Sequence, residues 1–244
     1  MLEMPIIELD SIDSTNNYAM QLIDADKAQH GLTITARSQT GGKGQRGKSW
    51  IDKPGESLLM SLITTPKLLI SEQFLFNASV AVAIANILQK LNTTWKIKIK
   101  WPNDIIINDK KAGGILIENV LRGSRWVYSV IGIGLNIKQV DFPVELPFAT
   151  SLKIGSGIDF EIAEIRDFLI ENILFTIAAS DLKENMKKYN EYLYKSGGQQ
   201  LFSDNNSKWE ATILNANNDG TISVQMEDGT IVSYYHGQVL WEWR

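Results

Sequence analysis

KWPNDIIINDKKAGGILIE, residues 100–118, reads as a β-hairpin. DIIIN (104–108) and AGGILIE (112–118) are short apolar runs, and Asn108-Asp109-Lys110 between them is built of residues that accept turn conformations. The turn sets the two strands side by side, so Asp104 and Lys111 reach one cleft. A carboxylate there can orient a metal or an amine, and a lysine can neutralise a phosphate or a carboxylate. Read alone, the same residues are more simply a turn entering a strand and an exposed hairpin lysine. Gly113-Gly114 weighs against that plain reading, because paired glycines weaken a strand unless something must approach its backbone.

Further strands flank the hairpin at 31–37 (GLTITAR), 57–64 (SLLMSLIT), 97–100 (IKIK) and 126–135 (WVYSVIGIGL). Residues 72–91 carry Phe74, Leu75, Ala78, Val82, Ala85, Leu88 and Leu91 at the helical period, with Ser71 as the expected cap and Glu72 at the positive end. A second helical stretch runs from about Glu161 to Tyr194, broken near Ser180-Asp181. Ser196-Gly197-Gly198 reads as a linker. KWEATIL, TISVQM and TIVSYYH follow it, separated by Asn218-Asp219-Gly220 and Asp228-Gly229 turns, and predict a small antiparallel β domain. Two domains are expected, 1–195 and 196–244.

The composition narrows the chemistry. At 44% hydrophobic and 21% charged residues, the 244-residue chain is an ordinary globule rather than a disordered or fibrous one. A net charge of −4 lacks the basic excess of a nucleic-acid binder, so no DNA partner is expected. With no cysteine, disulfides and thiolate chemistry are excluded; two histidines leave little room for a zinc cage or a histidine triad, and no protein metal site is expected. The N-terminal stretch lacks a signal pattern, and no segment is expected to reach the roughly 20 apolar residues of a membrane span. The expected setting is cytoplasmic, with no membrane partner.

Three more stretches carry chemistry. Gly41-Gly42-Lys43-Gly44-Gln45-Arg46-Gly47-Lys48 follows a strand and crowds glycines with cations, which suits a phosphate, although a flexible solvated turn has the same composition. Its match to G-x-G-x-x-G is weak, because Ser49-Trp50 and Pro54-Gly55 follow where a dinucleotide fold needs a helix. Ile131-Gly132-Ile133-Gly134-Leu135-Asn136 is a buried-looking strand with glycines on one face and Asn136 near its end. Asp13-Ser14-Thr15-Asn16-Asn17 precedes a short amphipathic helix, where capping or a polar ligand would account for it equally.

Taken together and in this order, DSTN (13–16), QTGGKGQRGKSW (39–50), KWPNDI (100–105), KKAGGILIE (110–118) and IGIGLNI (131–137) resemble the biotin–protein ligase family. ATSL (149–152) resembles a following segment more weakly, and the C-terminal β region resembles the family's SH3-like cap. The resemblance implies an α+β fold: a mixed catalytic sheet flanked by helices, related to lipoate ligases and class II aminoacyl-tRNA synthetases, with a small SH3-like β-barrel at the C-terminus. It implies formation of biotinyl-5'-AMP from biotin and Mg²⁺-ATP, then transfer to a lysine of a biotin carboxyl carrier domain, by a monomer or homodimer. Larger relatives carry an N-terminal DNA-binding domain, for which the residues before Asp13 leave no room.

Carried over residue by residue, the resemblance places Ser14, Thr15, Asn16 and Gln39 around the biotin head group. Lys43, Gly44 and Gln45 complete that pocket. Lys111 meets the biotin carboxylate and the α-phosphate, and Asp104 handles the acceptor amine or organises the metal. Lys43, Arg46 and Asn136 lie toward the nucleotide. Trp50, Trp101 and Ile115 are expected to pack, and Phe148 is a candidate for stacking on adenine. The family loop usually reads G-R-G-R-x-G; here Lys43 keeps the first charge and Gln45 loses the second. A lipoate or octanoate ligase is the nearest alternative, and a non-catalytic biotin-responsive regulator is the alternative from another class.

Overall fold

The computed structural model describes residues 4–179, 181–204 and 206–243. Two sheets carry the architecture. The larger is built from β1 (Ile6–Ile12), β2 (Thr33–Gln39), β3 (Ser57–Thr64), β4 (Ile97–Lys100), β5 (Asp104–Ile107), β6 (Lys110–Arg122) and β7 (Arg125–Asn136). Its order is β1-β2-β3-β7-β6-β5-β4, parallel only between β1 and β2, so the sheet is mixed as expected. The smaller sheet, order β11-β10-β9-β8-β12, comprises β8 (Gln199–Ser203), β9 (Lys208–Ala216), β10 (Ile222–Met226), β11 (Ile231–Tyr234) and β12 (Leu240–Trp241). Sequence patterning missed β1, β8 and β12. IIELDSI and QQLFS mix polar groups into both faces of partly exposed strands, and LW is too short to show a period.

Helices cover the large sheet unequally. Helix α1 (Thr15–Asp24) lies on one face, where Ala19 and Ile23 pack with Leu32, Ile34, Ile63 and Val130. On the other face lie α2 (Gln73–Leu91), α4 (Ile162–Ala179) and α5 (Leu182–Tyr192), with the short α3 (Leu152–Ser156) between the sheet and α4 in sequence. Ser180, the expected break, lies outside the described residues; Asp181 caps α5 by accepting from the Lys183 N–H at 2.8 Å. The expected Ser71 cap is not used. A 3₁₀ turn (Ile70–Glu72) precedes α2, and Glu72 closes it by accepting from the Leu69 N–H at 2.8 Å.

Contrary to the expectation from sequence, Ile70–Leu91 is long and apolar enough to cross a membrane by length and composition. Its burial has a protein cause. Val82, Ile84 and Leu88 are withdrawn from water, worth about 1.5–3 kcal/mol each, and Ala78, Ala81 and Ala85 are buried at the same contacts with the sheet, α4 and α5. The same core continues through Trp101 and Tyr189 to Phe202, Ile213, Val224 and Trp241, crossing the expected 195/196 boundary. The glycine linker is also held: Gly197 N–H donates to the Ile213 carbonyl at 2.8 Å.

Candidate functional site

Strand β7 decides where a ligand can enter. Ile131, Ile133 and Leu135 face the helical core, so Gly132 and Gly134 face the α1 side. A Cβ on Gly132 would collide with the Asn16 amide, and one on Gly134 would lie 2.6 Å from Trp50 Cε2. The close approach expected at these glycines is real, and the groups that approach are the protein's own side chains. Above this floor opens a cavity of about 940 Å³. Ser14, Thr15, Asn16, Gln39, Lys43, Gly44, Gln45, Arg46, Asp104 and Lys111 all line it.

A β-bulge aims Lys111 into the cavity. Asp104 pairs with Gly114 and Ile105 with Gly113, but Ile106 pairs with Lys111, so Ala112 is skipped. Ala112 packs in the core, and Lys111 takes the face that strict alternation would have denied it. Its Nζ then meets Asp104 Oδ1 at 2.7 Å, with both side chains partly exposed to the cavity. The backbone of Lys111 is tied on its other edge: its N–H donates to the Phe148 carbonyl at 2.7 Å, and its carbonyl accepts from Thr150 N–H at 2.8 Å. Asn103 fixes the hairpin from within, donating its amide to the Ile115 carbonyl at 2.7 Å. Tyr189, fully buried, donates its hydroxyl to the Pro102 carbonyl at 3.0 Å; burial raises its pKa.

One wall of the cavity is a buried polar relay. Ser14 occupies the N-cap of α1 but makes no side-chain cap bond, so capping alone does not account for DSTN. Thr15 N–H donates to Gln39 Oε1 at 2.7 Å, and Thr15 Oγ1 lies 2.8 Å from Ser61 Oγ. Ser61 donates to Asn16 Oδ1 at 2.6 Å, and the Asn16 amide donates to Glu118 Oε2 at 2.7 Å. Thr15 Oγ1 also donates to Gln39 Oε1 at 3.0 Å, and the single Ser61 proton is shared between Thr15 Oγ1 and Asn16 Oδ1, so the relay runs from Gln39 through Thr15, Ser61 and Asn16 to Glu118. That order spends both ends of the Asn16 amide on the protein, and leaves Thr15 Oγ1 lone-pair capacity for a ligand N–H. Ser61 and Glu118 were not anticipated. Ser61 is the isolated polar residue inside the apolar run SLLMSLIT, which was the available signal.

The opposite wall is the glycine-rich flap. Trp50 N–H donates to the Gly42 carbonyl at 2.9 Å and Gly44 N–H to the Lys48 carbonyl at 2.7 Å, closing an antiparallel loop whose tip is the 3₁₀ turn Gln45–Gly47. No dinucleotide-type helix starts here. Gln45 Oε1 and Trp50 Nε1 are buried without hydrogen-bond partners. Trp50, expected only to pack, covers Gly134 and stands 5.9 Å from Lys111 Nζ. Arg46 takes a left-handed backbone (φ 56°), and its guanidinium lies against Gly237 in the loop between β11 and β12, whose missing Cβ makes the space. His236 beside it packs edge-on to Trp101 at 5.5 Å, and burial, then Arg46, hold its pKa below the usual histidine range.

Two expected residues lie elsewhere. Asn136 is buried outside the cavity lining, donating to the Thr150 carbonyl at 2.9 Å with its own Oδ1 unpaired. Phe148 stacks on Trp243 at 5.2 Å, with 13° between the rings, and it is Trp243 that borders the cavity.

A mixed α+β sheet bearing one deep, cation-rich cavity under a glycine flap, with a small antiparallel sheet against it, defines the class. Within that class the match is specific: residues 8–136 fit the model of the biotin/lipoate A/B protein ligase family, and the chain belongs to this family. "Bifunctional ligase/repressor BirA" of Bacillus spizizenii is 31% identical over 240 residues, 96% of this chain and 66% of that protein. The chain thus spans about two thirds of that relative's length. "Biotin--[acetyl-CoA-carboxylase] ligase" of Paracoccus denitrificans is 33% identical over 127 residues, 51% of each chain. The biotin protein ligase of Aquifex aeolicus, solved with biotin and ATP, superposes with a TM-score of 0.81 at 22% identity, covering 98% of this chain and 99% of that one, which establishes the shared fold.

Proposed function

We propose that this chain is an ATP-dependent biotin–protein ligase that forms biotinyl-5'-AMP and passes biotin to a lysine of a biotin carboxyl carrier domain. The observation that carries the reading is the sharing of one cavity by the Lys111–Asp104 pair, at 2.7 Å, and the Thr15–Ser61–Asn16 relay. A ureido ring offers N–H donors and a carbonyl that need partners once buried. Thr15 Oγ1 supplies an acceptor and the Gln39 amide a donor; Ser14 adds a hydroxyl. The named activities of the Bacillus and Paracoccus relatives agree with this reading.

In the first step a biotin carboxylate oxygen attacks the α-phosphorus of ATP, the bond to the β-phosphate oxygen breaks, and pyrophosphate leaves. Two anions must meet, and Lys111 offsets their repulsion where they touch. In the second step the carrier amine attacks the acyl carbon, the acyl–phosphate bond breaks, AMP leaves, and the amine loses a proton. Asp104, once Lys111 turns to the phosphate, is the carboxylate placed to take it. Asp104, Glu145 and Asp204 are the cavity's carboxylates, and among the described residues no group of three metal-binding side chains forms a cage. That donor set would suit magnesium arriving on ATP, with Asp104 as the carboxylate that would hold it. When bound, the metal supplies positive charge to the phosphates. A cytoplasmic setting, where ATP is available, belongs to the same proposal.

Mass spectrometry of a carrier domain incubated with this protein, ATP, Mg²⁺ and either biotin or lipoate tests the reading. A biotinyl adduct on one lysine is expected. Lipoyl transfer in its place, or no adduct with either acid, overturns it.

A further inference from the structure

Lys100 and Glu118 are charged side chains that make no salt bridge among the described residues. Lys100, on the last position of β4, is 7% exposed and lines the cavity itself; its ammonium donates to the Trp241 carbonyl at 3.1 Å and sits 4.6 Å and 4.9 Å from the Trp241 and Trp243 ring centroids. Glu118, half-buried on β6, does not line the cavity. It stands one same-face pair beyond Leu116 and Gly132, which do. Its partner position on β7 is Val130, which packs with Ala19, Ile23 and Ile63 under α1. A carboxylate beside such a cluster is costly to desolvate unless its oxygens are used. Glu118 uses Oε2 to accept from the Asn16 amide at 2.7 Å, and through that bond alone it reaches the cavity wall.

We propose that Glu118 is a positioning residue for the head group: without touching it, the carboxylate sets the direction of the relay, so that Thr15 meets a ligand N–H and not a ligand acceptor. The assignment rests on the ligase reading above and adds to it a determinant of which ring is accepted. A side-chain amide can present either end to a neighbour, whereas a carboxylate only accepts. Glu118 therefore turns Asn16 Nδ2 toward itself and Oδ1 toward Ser61, and the Leu116 carbonyl reinforces that orientation by accepting from the same Nδ2 at 3.3 Å. A charged acceptor on the Nδ2 side also polarises the amide. Oδ1, at 2.6 Å, becomes the stronger of the two acceptors that share the Ser61 proton, the other being Thr15 Oγ1 at 2.8 Å. Thr15 sends its own proton to Gln39 Oε1 at 3.0 Å. What Thr15 Oγ1 then offers the cavity is lone-pair density. Reversal of the Asn16 amide would send the Ser61 proton to Thr15 and blunt that choice.

The test is calorimetric titration of biotin, and of two carbamate analogues in which one or the other ring N–H is replaced by oxygen, into wild type and Glu118→Gln, alongside kcat and the biotin and ATP KM values. Gln keeps the shape of the side chain and leaves Asn16 free to reverse. Wild type is expected to prefer biotin over one of the analogues by about a hundredfold or more, because an oxygen there faces the Thr15 lone pairs. In Glu118→Gln that preference should shrink, and biotin KM rise, by about fivefold or more, with kcat and ATP KM within about twofold. Glu118→Ala, which leaves Asn16 to the Leu116 carbonyl and to water, carries the test if Glu118→Gln does not fold, and the same direction is expected. An unchanged preference in the folded variant overturns the proposal. So does a parallel rise of biotin and ATP KM with a lowered thermal midpoint, which marks Glu118 as an anchor of α1 only. Wild type that transfers biotin but discriminates against neither analogue leaves the ligase reading standing and removes this role; wild type that binds no biotin sinks both.

Discussion

The two walls of the cavity are built on opposite plans. On the α1 side, Thr15, Asn16 and Ser61 are buried and hydrogen-bonded to one another and to Gln39 and Glu118, so that wall is finished before any ligand arrives. On the flap side, Lys43, Arg46 and Lys48 are exposed, while Gln45 Oε1 and Trp50 Nε1 are buried and unpaired. A relay of hydroxyls and amides ending on one carboxylate can be completed within the protein, because each donor finds an acceptor. A cluster of cations cannot complete itself; it is finished by the anion it binds. On the proposed reading, recognition of the head group falls to rigid secondary structure, and recognition of phosphate to a flap and its neighbours.

The largest effect should come where the walls meet. Lys111→Ala is expected to lower pyrophosphate release from biotin and ATP by about a thousandfold or more, since it removes the charge between two anions, while circular dichroism and thermal midpoint stay near wild type. Near-normal release would show that the flap cations alone suffice. Next, Ser61→Ala interrupts the finished wall and leaves Asn16 Oδ1 without its donor. Biotin KM should rise by about tenfold, with ATP KM unchanged. A rise in both would mean the walls are not independent.

The flap gives smaller changes. Gln45→Arg adds a guanidinium where the buried amide oxygen has no partner, and biotinyl-adenylate release should slow by a few-fold in a single-turnover trap with excess unlabelled biotin and ATP. Unchanged release would mean Arg46 or Lys48 already closes the loop. A further expected effect is on stability rather than on rate. Lys100 titrates near pH 8 in the fold and near 10.5 when unfolded, so the unfolded chain holds more protons between these values and stability from this group rises across that interval. Urea midpoints at pH 8 and pH 10 should show a gain in wild type that Lys100→Met lacks. Equal gains would place the titration elsewhere.

How much of this was legible in the sequence follows the range of the interactions. The 104–118 hairpin, helix 73–91 and the glycine face of β7 are set by neighbours within a few residues, and patterning found them. The bulge at Ala112 was invisible, because a single skipped residue leaves composition untouched while reversing which face Lys111 takes. Lys100 was hidden for a different reason. A lysine in IKIK alternates as a solvent-facing residue should, and the tryptophans that bury it lie far along the chain. Asn136 and Phe148 carried motif-level expectations; in the fold Asn136 donates to the Thr150 carbonyl and Phe148 stacks on Trp243, partners that no local pattern reveals. Ser61 stood in plain view as a polar residue in an apolar strand, but its partners on α1 could not be read from its own neighbourhood.

The contact between Lys100 and Trp241 joins residues 141 positions apart, and Trp101 donates to the Gly220 carbonyl across 119. A ribosome adding about 5–20 residues per second completes β7 several seconds or more before it reaches β12. In that interval the nascent large sheet can pair its strands and seat Lys111, yet Lys100 remains in water and Arg46 has no Gly237 to rest against. Translation order thus makes the Lys100 end of the cavity the last part of it to be enclosed.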